Sequence, residues 1–345
     1  MAKQEKSNIW SNYTGTVSAV KAGKISCLYL VCGEEKYAID RLIAFLKNQL
    51  VDKNAEALDY YMKDCTNAEL SVDDFKSLVG SPPFLSKRRM TVIRNSGWWG
   101  ARAPSAPKEQ ESMKNAIANI PEYACVIFVE DKVDNRKKQL IEAAGKCGSL
   151  VEISYFGEEQ LSKMITDKLS KYNIRMTGES VNSLISRTDS SMRQIDNELT
   201  KLILYCVNTK TSLVDIALLD QISIPDVHAS VFNIMDAIGQ RNAGRALEIL
   251  DDLILLKEPI PKIRLMLARQ IRHLICAKEI GDAGKTASAI GVTFYRAKNL
   301  VSQARGFTME QLEHLYRLCF ETDSMVKLGK MEDRMAMEYF LAFSS

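Results

Sequence analysis

In the stretch from Tyr29 to Asp40, YLVCGEEKYAID, an apolar run reaches a glycine and a helical pattern follows. Strand, glycine turn and helix is the layout of a phosphate-binding loop, and that chemistry has residue requirements. A working loop reads G-x-x-x-x-G-K-[ST]: backbone N–H groups cradle the phosphates, the lysine neutralises them, and the hydroxyl binds magnesium. Counted from Gly33, the closing positions fall on Ala38, Ile39 and Asp40. Isoleucine cannot neutralise a phosphate, and a carboxylate in the hydroxyl's place repels one. Glu34 and Glu35 add negative charge to the turn, and Lys36 stands too early to replace the loop lysine. Gly33, Ala38, Ile39 and Asp40 therefore mark a degenerate nucleotide loop, with no nucleotide or other cofactor expected.

Other groups were weighed for chemistry. The apolar run ACVIFVE ends at Glu130 and is followed by Asp131. Acids at a strand end hold magnesium and orient water in nucleotide hydrolases. Beside a failed phosphate loop they are expected to be a relic or a capped strand end. GDAGKT (281–286) carries the right ending, but the first glycine would have to stand at Glu279, inside a helical pattern, so a loop between helices is expected. SAVK (18–21) fits S-x-x-K weakly, near an irregular start, and GxSxG and HExxH are absent. The eight cysteines form no C-x-x-C pair, and His228, His273 and His314 are far apart in sequence, so no metal site is expected. No catalytic residue is assigned.

The elements that would position these residues divide the 345-residue chain. Lysine and arginine (46) barely exceed aspartate and glutamate (43), so any nucleic-acid contact needs a local basic patch. The first residues lack the apolar core of a signal peptide and no run is long enough to span a bilayer, which points to a cytoplasmic protein without membrane contact. Over residues 1–155, strand-like runs at 27–32, 89–95, 124–130 and 149–154 alternate with helical patterns, which argues for a parallel sheet covered by helices. The stretch 96–112 reads as a loop. Of its Trp98–Trp99 pair, either one ring packs back on the domain and anchors the loop, or the pair forms a partner-binding tip. From about 156 the strands stop. Three helices make a small domain over 156–222, with Thr177 and Ser190 or Ser191 as N-caps, and residues 223–345 are helical throughout.

An α/β domain with a failed phosphate loop, a small helical lid and a helical C-terminal domain resembles an AAA+ clamp-loader subunit. More closely, the chain resembles the delta-subunit family of bacterial DNA polymerase III. LYLVCGEEKYAIDRLI looks like that family's opening strand and altered loop. GSPPFLSKRRMTVIRN is similar to its apolar tip, basic cluster and strand, and VIFVEDKVDNRKKQLIEAA to its central strand and following helix. DSSMRQIDNELTKLILY resembles its last lid helix; VFNIMDAIGQRNAGRALEILDDL and TDSMVKLGK resemble two stretches of its collar. These stretches occur in order along nearly the whole chain.

The resemblance implies a DNA-replication subunit that grips and opens the sliding clamp (the beta subunit) for loading on primed DNA. It implies no hydrolysis by this chain: ATPase motor subunits supply it, and the chain joins them and a delta-prime subunit through its collar. The resemblance also implies a non-catalytic member of an assembly with DNA-directed DNA polymerase activity, in the cytoplasm at the nucleoid-associated replisome. The family's clamp-binding pair falls on Pro83 and Phe84, with Leu85 beside them, where relatives carry leucine before the phenylalanine. The residues alone leave two readings open: Phe84 packs on its own domain, or it projects into a partner. Arg88, Arg89, Arg136, Lys137 and Lys138 are candidate contacts to DNA phosphates or an acidic partner. Arg193, where active relatives sense nucleotide, is expected to make structural pairs. The competing functions are an ATP-hydrolysing AAA+ motor or helicase loader, and a DNA-binding adaptor that acts without a clamp.

Overall fold

The computed structural model describes residues 10–67, 70–100, 106–223 and 227–344. The chain forms two compact units, Met1–Tyr155 and Phe156–Ser345. Among the described residues no helix is long and apolar enough to cross a membrane.

The first unit is built on six strands: β1 (Trp10–Ser11), β2 (Leu28–Cys32), β3 (Tyr60–Asp64), β4 (Arg89–Arg94), β5 (Ala124–Glu130) and β6 (Gly148–Glu152). They lie in the order β1-β6-β2-β5-β4-β3, and every pair is parallel. Parallel strands need crossovers, and the helices that supply them cover both faces. These are α1 (Tyr13–Lys21), α2 (Lys36–Leu50), the short α3 (Glu56–Asp59), α4 (Val72–Gly80), α5 (Pro107–Ala118) and α6 (Lys138–Cys147). Every residue of β2 and of β5 is buried, as covering on both faces requires. In α2 the apolar positions Ala38, Ile39, Leu42, Ile43, Leu46 and Leu50 form the buried stripe. The core on one side of the sheet gathers Leu30, Phe75, Trp99, Met113, Phe128 and Leu140.

The structure corrects three expectations here. SAVK lies on α1, which Asn12 caps by accepting from the Gly15 amide, rather than in an irregular start. Residues 96–112 are not one loop, because α5 begins at Pro107, a residue suited to a first helical position; residues 101–105 lie outside the described part. The sheet also has strands that the sequence reading did not include, β1 and β3.

The second unit holds two apolar clusters. One joins α7 (Glu158–Ser170), α8 (Gly178–Arg187), α9 (Met192–Thr209) and α10 (Ile216–Ile222) through Ile165, Leu184, Leu199 and Leu219. Thr177 caps α8 and Ser191 caps α9. Strands do not stop at 156: β7 (Arg175–Met176) pairs in parallel with β8 (Leu213–Val214), elements too short to show a period. The other cluster joins α11 (Val227–Gly239), α12 (Ala243–Leu255), α13 (Ile260–Ile280), α14 (Ala283–Ile290), α15 (Phe294–Ala304), α16 (Met309–Lys327) and α17 (Asp333–Phe343). Arg264 on α13 is buried and bonds Asp323 on α16 (3.1 Å) and Asp333 on α17 (2.7 Å). GDAGKT is less loop than expected: Gly281 closes α13 with a left-handed backbone and Asp282 caps α14 at the Lys285 amide. Gly291, with a left-handed backbone, then separates α14 from α15.

Candidate functional site

At the carboxyl end of a central parallel strand, helix-end N–H groups are normally free to meet a ligand. In the turn after β2 they are taken. The Glu34 and Glu35 amides both donate to the Ile153 carbonyl, at 3.0 and 3.3 Å, and the Lys36 amide donates to the Glu34 carbonyl at 3.1 Å. The Tyr37 amide donates to the Glu35 carboxylate, the helix cap, at 3.2 Å. Gly33 makes this closure possible. It sits at φ 138°, and a Cβ there would meet the Ile153 carbonyl oxygen at 2.1 Å. Ala38 and Ile39 are fully buried in the core. Asp40 accepts from Arg94 at 2.6 Å, and Lys36 pairs with Asp131. The four expected positions thus come together as a self-satisfied turn, and the residues do not fit a triphosphate.

The acids after β5 are likewise engaged. Glu130 is buried and accepts from the Ser96 amide (2.9 Å) and hydroxyl (2.5 Å). Burial pushes its carboxyl up, and the Ser96 bonds pull it back only in part. Through Ser96 it anchors the tryptophan pair. Trp98 and Trp99 are both buried; the Trp98 indole donates to the Leu70 carbonyl at 2.6 Å, and Trp99 meets Phe128 edge-on at 5.3 Å. Both rings pack back on the domain. Among the described residues no group of three His, Cys, Asp or Glu side chains could hold a metal ion.

The segment from Ser81 to Arg88 links the end of α4 to the start of β4. It therefore lies at the amino edge of the sheet, whereas the Gly33 turn lies at the carboxyl edge. Pro83 is half-buried, while Phe84 is 68% exposed and Leu85 64%. Exposed neighbouring apolar side chains in a short turn would ordinarily collapse or fluctuate, but this turn is fixed from beneath. Asp59, the last residue of α3, is buried, and its carboxylate accepts from the amides of Phe84 (2.5 Å), Leu85 (3.0 Å) and Ser86 (2.8 Å). Burial opposes its charge, yet the Phe84, Leu85 and Ser86 donors outweigh burial and hold the carboxyl far below the ordinary aspartate range. The Ser86 hydroxyl in turn accepts from the Asp52 amide at 2.9 Å. Leu58 and Met62, on either side of Asp59 in sequence, are also more than half exposed.

Sequence reasoning missed Asp59. Its one local signal was an acid set among the apolar residues of ALDYYM.

The five basic candidates do not form one patch. Arg88 and Arg89 are half-buried beside the tip, at the amino edge. Arg88 donates to the Ser26 carbonyl at 3.3 Å, and Arg89 Nε is buried without a hydrogen-bond partner. Arg136, Lys137 and Lys138 follow β5, at the other edge. Arg136 is exposed but forks onto Asp134 at 2.7–3.0 Å. Lys137 and Lys138 open α6, whose first turn holds no acid. Arg193 lies in the first turn of α9.

The family model described as DNA polymerase III, delta subunit matches residues 29–154, and the model for the C-terminal domain of the same subunit matches residues 228–343. The DNA polymerase III subunit delta of Bacillus subtilis (strain 168) is 23% identical over 338 residues, spanning 94% of this chain and 94% of that protein. The solved structure of the Bacillus subtilis DNA clamp loader delta protein (YqeN) is 19% identical. It shares the fold with a TM-score of 0.80, over 96% of this chain and 99% of that one.

Proposed function

This chain belongs to the DNA polymerase III delta-subunit family, and from that premise we propose that it is the clamp-gripping subunit of a clamp loader, which opens the ring for loading on primed DNA. The observation that carries the reading is the pair Phe84 and Leu85, exposed side by side on a turn that is hydrogen-bonded from beneath. A rigidly held aromatic side chain in water suits entry into a partner's apolar pocket, and such anchors dominate interfaces. Pro83 stiffens the approach to it. Opening follows from differential binding: a partner shifts a ring towards its open form only by binding that form better than the closed one. Phe84 and Leu85 supply the grip, and the surrounding surface of the first unit fits the relaxed clamp subunit.

ATP hydrolysis belongs to neighbouring motor subunits in this reading. It is supported by the closed turn at Gly33, where the Glu34, Glu35, Lys36 and Tyr37 amides are already engaged within the chain. Residues 156–222 serve as the lid, and the helices over 223–345 as the collar that joins the motor and delta-prime subunits. Arg136, Lys137 and Lys138 are the candidates for DNA phosphates, on the sheet edge away from the tip. The chain works in the cytoplasm, at the replisome on the nucleoid.

The test is release of a preloaded clamp. Cognate clamp is placed on nicked circular DNA and the isolated chain is added in buffer free of nucleotide. Faster clamp dissociation, saturating with the chain, is the expected result. Dissociation that needs ATP, or no binding at all, would sink the reading.

A further inference from the structure

The tip presents an energetic problem. Two large apolar side chains stand in water on an irregular segment, where a free backbone would sample many conformations. Each residue that must be ordered on binding weakens an association by roughly tenfold. We propose that Asp59 is the positioning residue of the clamp contact: its carboxylate gathers the consecutive Phe84, Leu85 and Ser86 amides and so presents Phe84 and Leu85 already shaped for the partner. The proposal rests on the reading that this tip meets the clamp.

The arrangement suits that task. Successive backbone N–H groups converging on one anion make a concavity that only a negative charge fills well. Here the anion is internal, donated by another segment, so it fixes the turn without using any surface that faces outwards. All three bonds go to backbone, which leaves the side chains of Phe84 and Leu85 free. The anchor is itself supported. Asp59 closes α3 and leads into β3, which is hydrogen-bonded to β4 along its length. Ser86 ties the far side of the turn to Asp52. Bonds to an ionised acceptor are the strong kind. Asparagine offers a neutral oxygen and turns an NH₂ towards amides that need an acceptor, so Asp59→Asn should release the turn with little change in shape.

The experiment is a double-mutant cycle on the full chain, read by titration with cognate clamp, with thermal melts and hydrogen exchange alongside. Asp59→Asn is expected to weaken clamp binding on the order of 10- to 100-fold. The double variant with Phe84→Ala should lose less than the two single losses combined, because Asp59 acts through the tip that Phe84→Ala has already weakened. Exchange at the Phe84, Leu85 and Ser86 amides should be slow in the wild type and fast in Asp59→Asn, a change that a general structural role would not confine to those three. If Asp59→Asn binds as the wild type does while Phe84→Ala fails, the positioning role is wrong and the tip reading stands. If Phe84→Ala itself keeps full affinity, the tip reading falls and this proposal with it. Additive losses in the cycle also overturn the proposal. Should Asp59→Asn not fold, exchange on the wild type decides: protection at the three amides supports the role, and fast exchange overturns it.

Discussion

Replacing Phe84 by alanine should separate binding from stability. A phenylalanine side chain offers roughly 180 Å² to burial. Phe84 is 68% exposed, so only about a third of that area, roughly 60 Å², is shielded in the folded chain. At about 25 cal/mol per Å² this is worth about 1.5 kcal/mol, and alanine's own methyl retains part of it. The expected loss of stability is therefore about 1 kcal/mol. A fully buried phenylalanine such as Phe75 should instead cost about 3–5 kcal/mol. The remaining two thirds, roughly 120 Å², becomes available on docking and is worth about 3 kcal/mol by the same measure. That corresponds to roughly a 100-fold rise in Kd. The assays are chemical denaturation of the free chain and titration with cognate clamp, run on the same preparations. The reasoning is refuted if Phe84→Ala destabilises the chain as much as Phe75→Ala does, or if its Kd for the clamp stays within threefold of the wild type.

Three further outcomes follow from the same structure. Restoring the loop residues with Ile39→Lys and Asp40→Thr should not confer ATP binding by calorimetry, because the turn's amides remain spent on Ile153; burying a lysine at the fully buried position 39 should also cost about 3 kcal/mol or more. Glu130 has a raised carboxyl pKa, so ionising it costs stability as pH rises through its folded value; below the ordinary glutamate value of 4.5 that cost is absent. Glu130→Gln, which keeps an acceptor for Ser96, should melt higher than the wild type at neutral pH and match it in acid. Arg264→Ala should lose about 2–3 kcal/mol by leaving Asp323 and Asp333 without their shared partner, less than a fully buried triad because both acids are about a third exposed; Arg264→Met, which keeps the packing, should lose less.

Much of the first unit was legible because burial on both faces writes a continuous apolar run. β2 and β5 each carry one, and β4 and β6 carry shorter ones around Val92–Ile93 and Leu150–Val151. β3 carries none: it is an edge strand, and Tyr61, Met62 and Asp64 face water, so neither a run nor an alternation marks YYMKD. The failure of the phosphate loop was readable from Ala38, Ile39 and Asp40, because residue chemistry alone excludes the function. Its completion was not, since the Ile153 carbonyl that consumes the amides lies more than a hundred residues along the chain. The tryptophan pair left two readings open for a similar reason. Gly, Pro, Ser and Ala around it write a loop, while the groups that bury it, Leu70 and Phe128, come from elsewhere. Phe84 could be nominated from its prolines and its resemblance. Asp59 could not, because three bonds spanning 25 to 27 residues leave no local pattern.

The central claim is that Phe84 and Leu85 enter the clamp. Its most direct measurement is a photo-reactive side chain placed at Leu85, with one at the equally exposed Phe320 of α16 as control. After mixing with clamp alone and irradiation, position 85 should form a covalent adduct that maps to one apolar pocket of the clamp, and position 320 should form none. An adduct from position 320 and none from 85 would contradict the account.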